Sequence, residues 1–429
     1  MGAGDRWFVL LGENPLLWGQ VCHLRELGYR VAVVAWNDCP RIEGDRYFQI
    51  DIKDSAAIIA ALKQAGLEGH VHGALSSIDL AAPSVNAINA WCGCCTMPER
   101  FNRVLSKRDM RDLWTKAGLF GRFSETDDCF TPESIHELNR EKKLICKPDV
   151  SASSRGITIL ESGRSLDVIC EAIEKARSES FNGHCLIEEF VEGQEFTVDL
   201  LGDSHGNVNC YGSSIQYHSK YALNNRVTVI HHWNSSVYDA STWNRIAQFG
   251  IECYRALGLD SMFGHLEVIM KPDGTIVPVE MGARSSGFIC SHTVWEASGH
   301  DYLADYISVL HGGRVEPGNY LNGPVSSMWF GYDIPAGTRS RSCFPGGSNN
   351  GGISITRYLD PSIKVLFERH DGLQPGKNFG NYINDGDRDK FGYAILSGSR
   401  DVLTIESVLK SNDRFLADFL EPFIKGNTL

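Results

Sequence analysis

Residues 264–287 read GHLEVIMKPDGTIVPVEMGARSSG. Two apolar runs, 265–270 and 275–279, flank the turn-forming triplet Pro272-Asp273-Gly274, so the stretch predicts a β-hairpin. A carboxylate accompanies each strand, Glu267 on the first and Glu280 on the second. If Asp273-Gly274 forms a two-residue turn, positions 267 and 280 stand directly opposite on one face; a longer turn shifts that register. Two like charges so placed repel by roughly 0.2–1 kcal/mol, and a buried pair costs far more unless a cation lies between them. Paired hard oxygen ligands suit Mg2+. The alternative is an exposed hairpin with two solvated glutamates, and the hairpin alone leaves both open. Leu266, Val268, Val277 and Val279 argue for a half-buried sheet, and Arg284 with Ser285-Ser286-Gly287 follows as a polar loop near the acids.

Upstream, residues 7–11 (WFVLL) and 29–36 (YRVAVVAW) read as buried strands around a helix that closes at Gly28. Strand, turn, helix and apolar strand make a βαβ unit with a parallel sheet. The pattern continues with a strand at 47–50, a helix at 54–65 and a strand at 71–76. Such sheets bind ligands at the carboxyl ends of their strands, here residues 12–14 and 76–79. The Gly12 turn lacks the GxGxxG spacing of a dinucleotide site. Residues 1–100 are therefore expected to be a supporting α/β domain.

At 429 residues the chain is too long for one small core. A net charge of −12 argues against a general nucleic-acid surface, which is normally basic. No run of about 18 apolar residues could span a bilayer, and residues 1–30 lack the pattern of a secretory leader. Thirteen cysteines without such a leader read as reduced thiols of a cytoplasmic protein. The cluster Cys92-Gly93-Cys94-Cys95 lacks the spaced partners of a zinc site and is expected to be structural or incidental.

The central segment adds cations and loops. Residues 102–118 suit a helix capped by Ser106, with Lys107 at its start and Trp114 on its apolar stripe. KLICK, 143–147, is a short strand delivering Lys147; DVSASSRG, 149–156, is small and polar; a strand resumes at 157–160. A Ser/Gly loop between antiparallel strands with a lysine at its root can fold N–H groups and hydroxyls over a phosphate, although many such loops hold nothing. It is not a P-loop. In CLIEEFVEGQEFTVDLL, 185–201, two strands meet at an apolar hinge that could hold a flat ring close to Glu195; a plain hairpin with solvated acids is the other reading.

In chain order, Lys107, Lys147 with its loop, Glu188-Glu189-Phe190-Val191, Glu195, Glu267, Glu280 and Arg284 form a set that resembles the ATP-grasp superfamily over about residues 100–312. The resemblance implies an α/β and α+β multidomain protein: an N-terminal parallel α/β domain at 1–100, a central ATP-grasp domain at 101–314 with a mobile lid near 143–190, and a β-rich C-terminal accessory domain at 315–429. It implies ATP and Mg2+ as cofactors. Lys107 and Lys147 would contact the phosphates, with Ser151, Ser153, Ser154 and Gly156 of the loop closing over them. Glu188 would accept from the adenine amino group, the backbone of Phe190 and Val191 would complete its edge, and Glu195 would hold the ribose. Glu267 and Glu280 would ligate the metal and Arg284 would neutralise the transferred phosphoryl group. Phosphoryl transfer asks for these residue types because it is mostly positioning and charge neutralisation.

One position departs from the pattern: many members carry Asn two residues after the second metal-binding Glu, where this chain has Gly282. A water or another residue must then fill that place. Within the superfamily the EMGARSSG loop and the tail, with strands expected at 325–332, 353–358, 363–368 and 391–397 and a helix at 402–419, look most like carboxylate-amine ligases that join amino acids. The expected activity is amide formation between a small-molecule carboxylate and amine, through an acylphosphate, with release of ADP and phosphate. Another acceptor (bicarbonate, a thiol or a purine-pathway amine) and a silent nucleotide-binding module are the alternatives. Neither nucleic acid nor membrane is an expected partner, and a homodimer is allowed. Substrate contacts are sought at Arg226, His231, Ser286 and Gly287, against a reading of 217–235 as surface polarity around a core strand.

Overall fold

The computed structural model describes residues 6–13, 17–96, 104–151, 154–222, 227–286, 290–316, 323–342, 354–370, 372–380 and 391–421, with the backbone alone at 290–292. Its contacts divide the chain into two units, Met1–Ser213 with Ala240–Leu321, and Ser214–Asp239 with Asn322–Leu429.

The first unit opens with the parallel sheet expected from the βαβ pattern. Strands β1 (Trp7–Leu11), β2 (Arg30–Ala35), β3 (Arg46–Gln49) and β4 (Val71–Ser76) lie in the order β3-β2-β1-β4. All five residues of β1 are buried, because helices cover both faces of such a sheet. Helix α1 (Trp18–Glu26) precedes β2, and α2 (Ser55–Gln64) starts where Asp54 accepts a hydrogen bond from the Ala57 N–H. Beyond β4 the chain makes a single 3-10 turn, Asp79–Ala81, and enters α3 (Ala82–Trp91). That helix has Pro in its first turn, where the missing N–H removes no helical bond. Asn89 on α3 accepts from the Ala74 N–H at 2.7 Å, which fastens the helix to β4.

Helix α4 (Lys107–Lys116) begins at Ser106, whose side chain accepts from the Asp109 N–H, as its sequence implied. An antiparallel sheet follows, β5 (Ser124–Thr126), β6 (Leu144–Pro148), β7 (Thr158–Leu160) and β8 (Cys185–Glu189) in the order β5-β8-β6-β7. Helices α5 (Pro132–Asn139) and α6 (Leu166–Ser178) pack on it through Ile135, Ile169 and Ile173. Strand β9 (Gln194–Gly202) belongs to a different sheet, paired with β12 (Met262–Met270). Residues 185–201 are therefore a junction between two sheets and not a hairpin. Gly193 is needed at this junction, since a Cβ there would run into the Met270 carbonyl oxygen.

β12 pairs with β13 (Ile276–Gly282), and here the expected route to the register is corrected. The turn holds three residues, not two: Lys271 N–H bonds Thr275 O at 2.8 Å, Gly274 N–H bonds Lys271 O at 2.9 Å, and Gly274 takes φ +82. That turn pairs Val268 with Pro278 and would leave Glu280 one position out of step. A bulge between the Glu267 and Val268 pairs inserts Val279, and Glu267 then meets Glu280 as expected.

In the second unit, β10 (Val208–His218) enters at Ser214 and is followed across the sheet by β11 (Thr228–Trp233), β14 (Val325–Gly331), β16 (Tyr393–Ser399) and β15 (Lys364–Arg369). A closing helix, Ile405–Phe419, packs Val408, Phe415 and Phe419 into the same core as Phe330 and Leu396. The strand expected at 353–358 is instead a 3-10 helix, Ile355–Tyr358. Ser354 caps it by accepting from the Thr356 N–H and itself bonds Glu368 at 2.6 Å, which turns the backbone out of an extended path.

Candidate active site

The face of the β12–β13 pair that carries Glu267 and Glu280 is the centre of the site. Directly opposed residues project from the same face of a sheet. Glu195 on β9 stands opposite Ile269, two residues beyond Glu267, so it shares that face. Lys107, at the start of α4, reaches Glu280 with Nζ–Oε2 3.1 Å. Burial pushes the Glu280 carboxyl up, but Lys107, then Lys147 and Arg284, outweigh it and hold Glu280 below the usual carboxylate range.

Asp149 explains how the two lysines come together. It is buried and accepts from Ser106 Oγ at 3.0 Å and from the Arg108 N–H at 2.9 Å, while its carbonyl takes the Lys107 N–H at 3.2 Å. A carboxylate at a helix N-terminus satisfies otherwise orphaned N–H groups. Asp149 follows Lys147 by two residues, so the same short segment places one lysine and tethers the helix bearing the other. Sequence reasoning passed over Asp149 because it read residues 149–156 only as a loop.

Lys147 itself is buried and pairs with Glu188 at 2.5 Å. Glu188 is fully buried and also meets Arg111 (Nε–Oε1 2.5 Å), Arg122 (3.3 Å) and the Ser124 hydroxyl (3.0 Å). Burial raises the Glu188 carboxyl, and Arg111, Lys147 and Arg122 together more than reverse this, holding it well below the carboxylate range. For Lys147 burial dominates over Glu188 and, with Arg111 and Arg122 adding repulsion, brings the ammonium down to about 8. The family resemblance implies Glu188 at the adenine edge. In this structure both its oxygens are already engaged by cations, and its reach into the site is through Lys147. Arg111, one turn after Lys107 on α4, is the residue that a helical-face reading would have found.

Of the phosphate loop, Ser151 has a buried hydroxyl with no hydrogen-bond partner among the described residues, Ser154 takes φ +56 and Gly156 takes φ +73. A Cβ on Gly156 would come to 2.7 Å from both Glu179 Cβ and Pro148 Cγ, so the chain needs glycine there. Ser153 lies outside the described residues. Phe190 N–H bonds Lys143 O at 3.0 Å, the Lys143 ammonium sits 4.4 Å over its ring, and Val191 is buried beside it.

Arg284 donates from Nε to Asp79 Oδ1 at 2.8 Å and from Nη1 to the Ser285 carbonyl at 3.1 Å. Ser286 is buried next to it; Gly287 and Arg226 lie outside the described residues. His231 is on β11 in the second unit, buried and bonded to Ser214 at 3.1 Å. Near the N-terminal sheet, burial pushes the Cys92 thiol up to about 12 and that of Cys94 up to about 11.

Comparison with known proteins bears on part of this arrangement. Residues 141–293 match the family model of the ATP-grasp domain and are an ATP-grasp domain. The D-alanine–D-alanine ligase of Granulibacter bethesdensis is 32% identical over 96 residues, which are 21% of this chain and 30% of that protein. The matched stretch thus spans less than a third of the length of that relative. An L-amino acid ligase from Bacillus licheniformis superposes with a TM-score of 0.73 at 15% identity, covering 97% of this chain and 98% of its own. A biotin carboxylase from Campylobacter jejuni does so with a TM-score of 0.66 at 16% identity, covering 96% and 91%. At such identities the two structures establish a shared mixed α/β multidomain fold. ATP-grasp domains use ATP with Mg2+. The donor set fits that pair: two opposed carboxylates for a hard divalent cation, with lysines and an arginine for the phosphates.

Proposed function

We propose that the protein is an ATP-dependent ligase that joins the carboxylate of one amino acid or similar small molecule to the amine of another. The observation that carries this reading is the single face on which Glu267 and Glu280 stand opposed, with Lys107 at 3.1 Å from Glu280. Bound ATP and Mg2+ would supply the phosphoryl group and its charge neutralisation. The substrate carboxylate takes the γ-phosphoryl group as ADP departs; the amine then attacks the acyl carbon, loses a proton, and phosphate leaves.

The chain's own residues have separable tasks in this scheme. Glu267 and Glu280 hold the cation. Lys107 and Lys147 draw the phosphates toward it, and Ser151, Ser154 and Gly156 cover them, excluding water that would hydrolyse an activated carboxylate. Glu195 takes the ribose, and the 190–191 backbone borders the base. Arg284 meets the developing charge on the substrate side. Among the described residues no helix is long and apolar enough to cross a membrane, and we place the enzyme in the cytoplasm.

Release of ADP measured over a matrix of carboxylates and amines tests the reading. Stimulation by particular pairs only supports it. ATP binding without turnover across a broad panel contradicts it.

A further inference from the structure

We infer that Asp79, in the N-terminal sheet's ligand edge, is the positioning residue for Arg284, and that residue 282 is glycine in order to admit it. A Cβ built on Gly282 would lie 2.7 Å from Asp79 Oδ1 and 3.2 Å from both Cγ and Cζ of Arg284. Within β13, residues 280 and 282 are in continuous register with 267 and 265, so that Cβ would project from the face that carries Glu280. The space where the family pattern expects an asparagine side chain is therefore filled by the Asp79–Arg284 ion pair.

The pair is built to be rigid. Asp79 opens the 3-10 turn that follows β4, and that turn is tied down by Ser76, whose hydroxyl donates to Leu11 O at 2.7 Å and accepts from the Ile78 N–H at 3.0 Å. Arg284 is mostly buried, with Nε on Asp79 and Nη1 on the Ser285 carbonyl. Among the described residues its Nη2 makes no hydrogen bond. A guanidinium has its N–H groups in a fixed fork, so anchoring Nε fixes the direction of the rest. Any side chain at 282 would displace Asp79 and release that fork. The inference rests on the proposed role of Arg284 for its catalytic consequence but not for its geometry.

The test uses the full chain with Asp79→Ala, Gly282→Ala and the double variant. The Arg284 Nε–H resonance, assigned by its loss in Arg284→Lys, is expected to exchange slowly with solvent in the parent and rapidly in both single variants. Phosphate release from ATP and Mg2+ with a mixture of amino acids is expected to fall about 10–100-fold in each single variant, the usual cost of losing a supporting partner. The double variant should be no worse than either, and KM for ATP should change little. Retained Nε–H protection in Gly282→Ala overturns the inference. So does tighter Mn2+ binding in Gly282→Asn, which would make 282 a metal-ligand position. If the parent releases no phosphate with any mixture, the ligase reading fails while the exchange measurement still decides the role of Asp79.

Discussion

Glu267 and Glu280 face each other because β13 carries one residue, Val279, that has no partner on β12. Deleting Val279 would move residues 280–282 by one position and turn Glu280 to the opposite face, since side chains alternate along a strand. Mn2+ binding in the presence of a non-hydrolysable ATP analogue should then be lost, whereas Val279→Ala, which keeps the bulge, should bind like the parent. Equal Mn2+ affinity in the deletion variant would remove the metal assignment.

Glu280→Gln keeps the shape of the side chain and removes its charge. Glu280→Gln weakens the pair with the buried Lys107 but also removes the like-charge repulsion from the opposed Glu267, and the two changes offset each other in folding. We expect a thermal midpoint close to the parent's and no measurable turnover. Retained turnover would show that the cation is held elsewhere.

Lys147 should make nucleotide binding sensitive to pH earlier than an ordinary lysine would. With its ammonium brought down to about 8 by burial, it is charged below that pH and neutral above it. Affinity for an ATP analogue should be flat below pH 8 and fall by about tenfold per unit above it, with protons taken up on binding in that range. The stability effect has the opposite sign: the unfolded lysine keeps its proton to about 10.4, so the cost of burying the charge is relieved as pH rises between about 8 and 10.4. Calorimetric titrations in buffers of different ionisation enthalpy measure both. Affinity unchanged up to pH 10 would contradict the assignment of Lys147 to the phosphates.

Glu188 is the only carboxylate the described residues set against Arg111, Arg122 and Lys147 in ion pairs. Glu188→Leu would strand the buried Lys147 and Arg111 and the part-buried Arg122, and should destabilise the protein by about 3–5 kcal/mol in urea unfolding, the usual cost of breaking a buried pair. A variant that unfolds like the parent but no longer discriminates ATP from GTP would return Glu188 to the adenine edge.

What the sequence made legible was local. The run at 7–11, the Ser106 cap and the apolar alternation around Glu267 are all decided by neighbours a few residues away, and each appears where expected. The opposition of Glu267 and Glu280 was read correctly but from the wrong turn: Pro272-Asp273-Gly274 gives no sign that a bulge at Val279 will compensate. Helix α3 went unread because Pro83 and small polar residues hide its periodicity. The ion pairs of Glu188 join residues up to 77 positions apart, and Asp79 meets Arg284 across 205. No spacing rule connects such positions, so the occupant of the gap at Gly282 became visible only once the sheets were folded together.

The central claim is that a carboxylate is activated by phosphoryl transfer before an amine attacks it. Amino acids labelled with heavy oxygen in the carboxyl group, incubated with ATP, Mg2+ and the enzyme, test it directly by mass analysis of the phosphate released. The account predicts transfer of one labelled oxygen from carboxylate to each phosphate formed. Turnover that releases phosphate without label would contradict it.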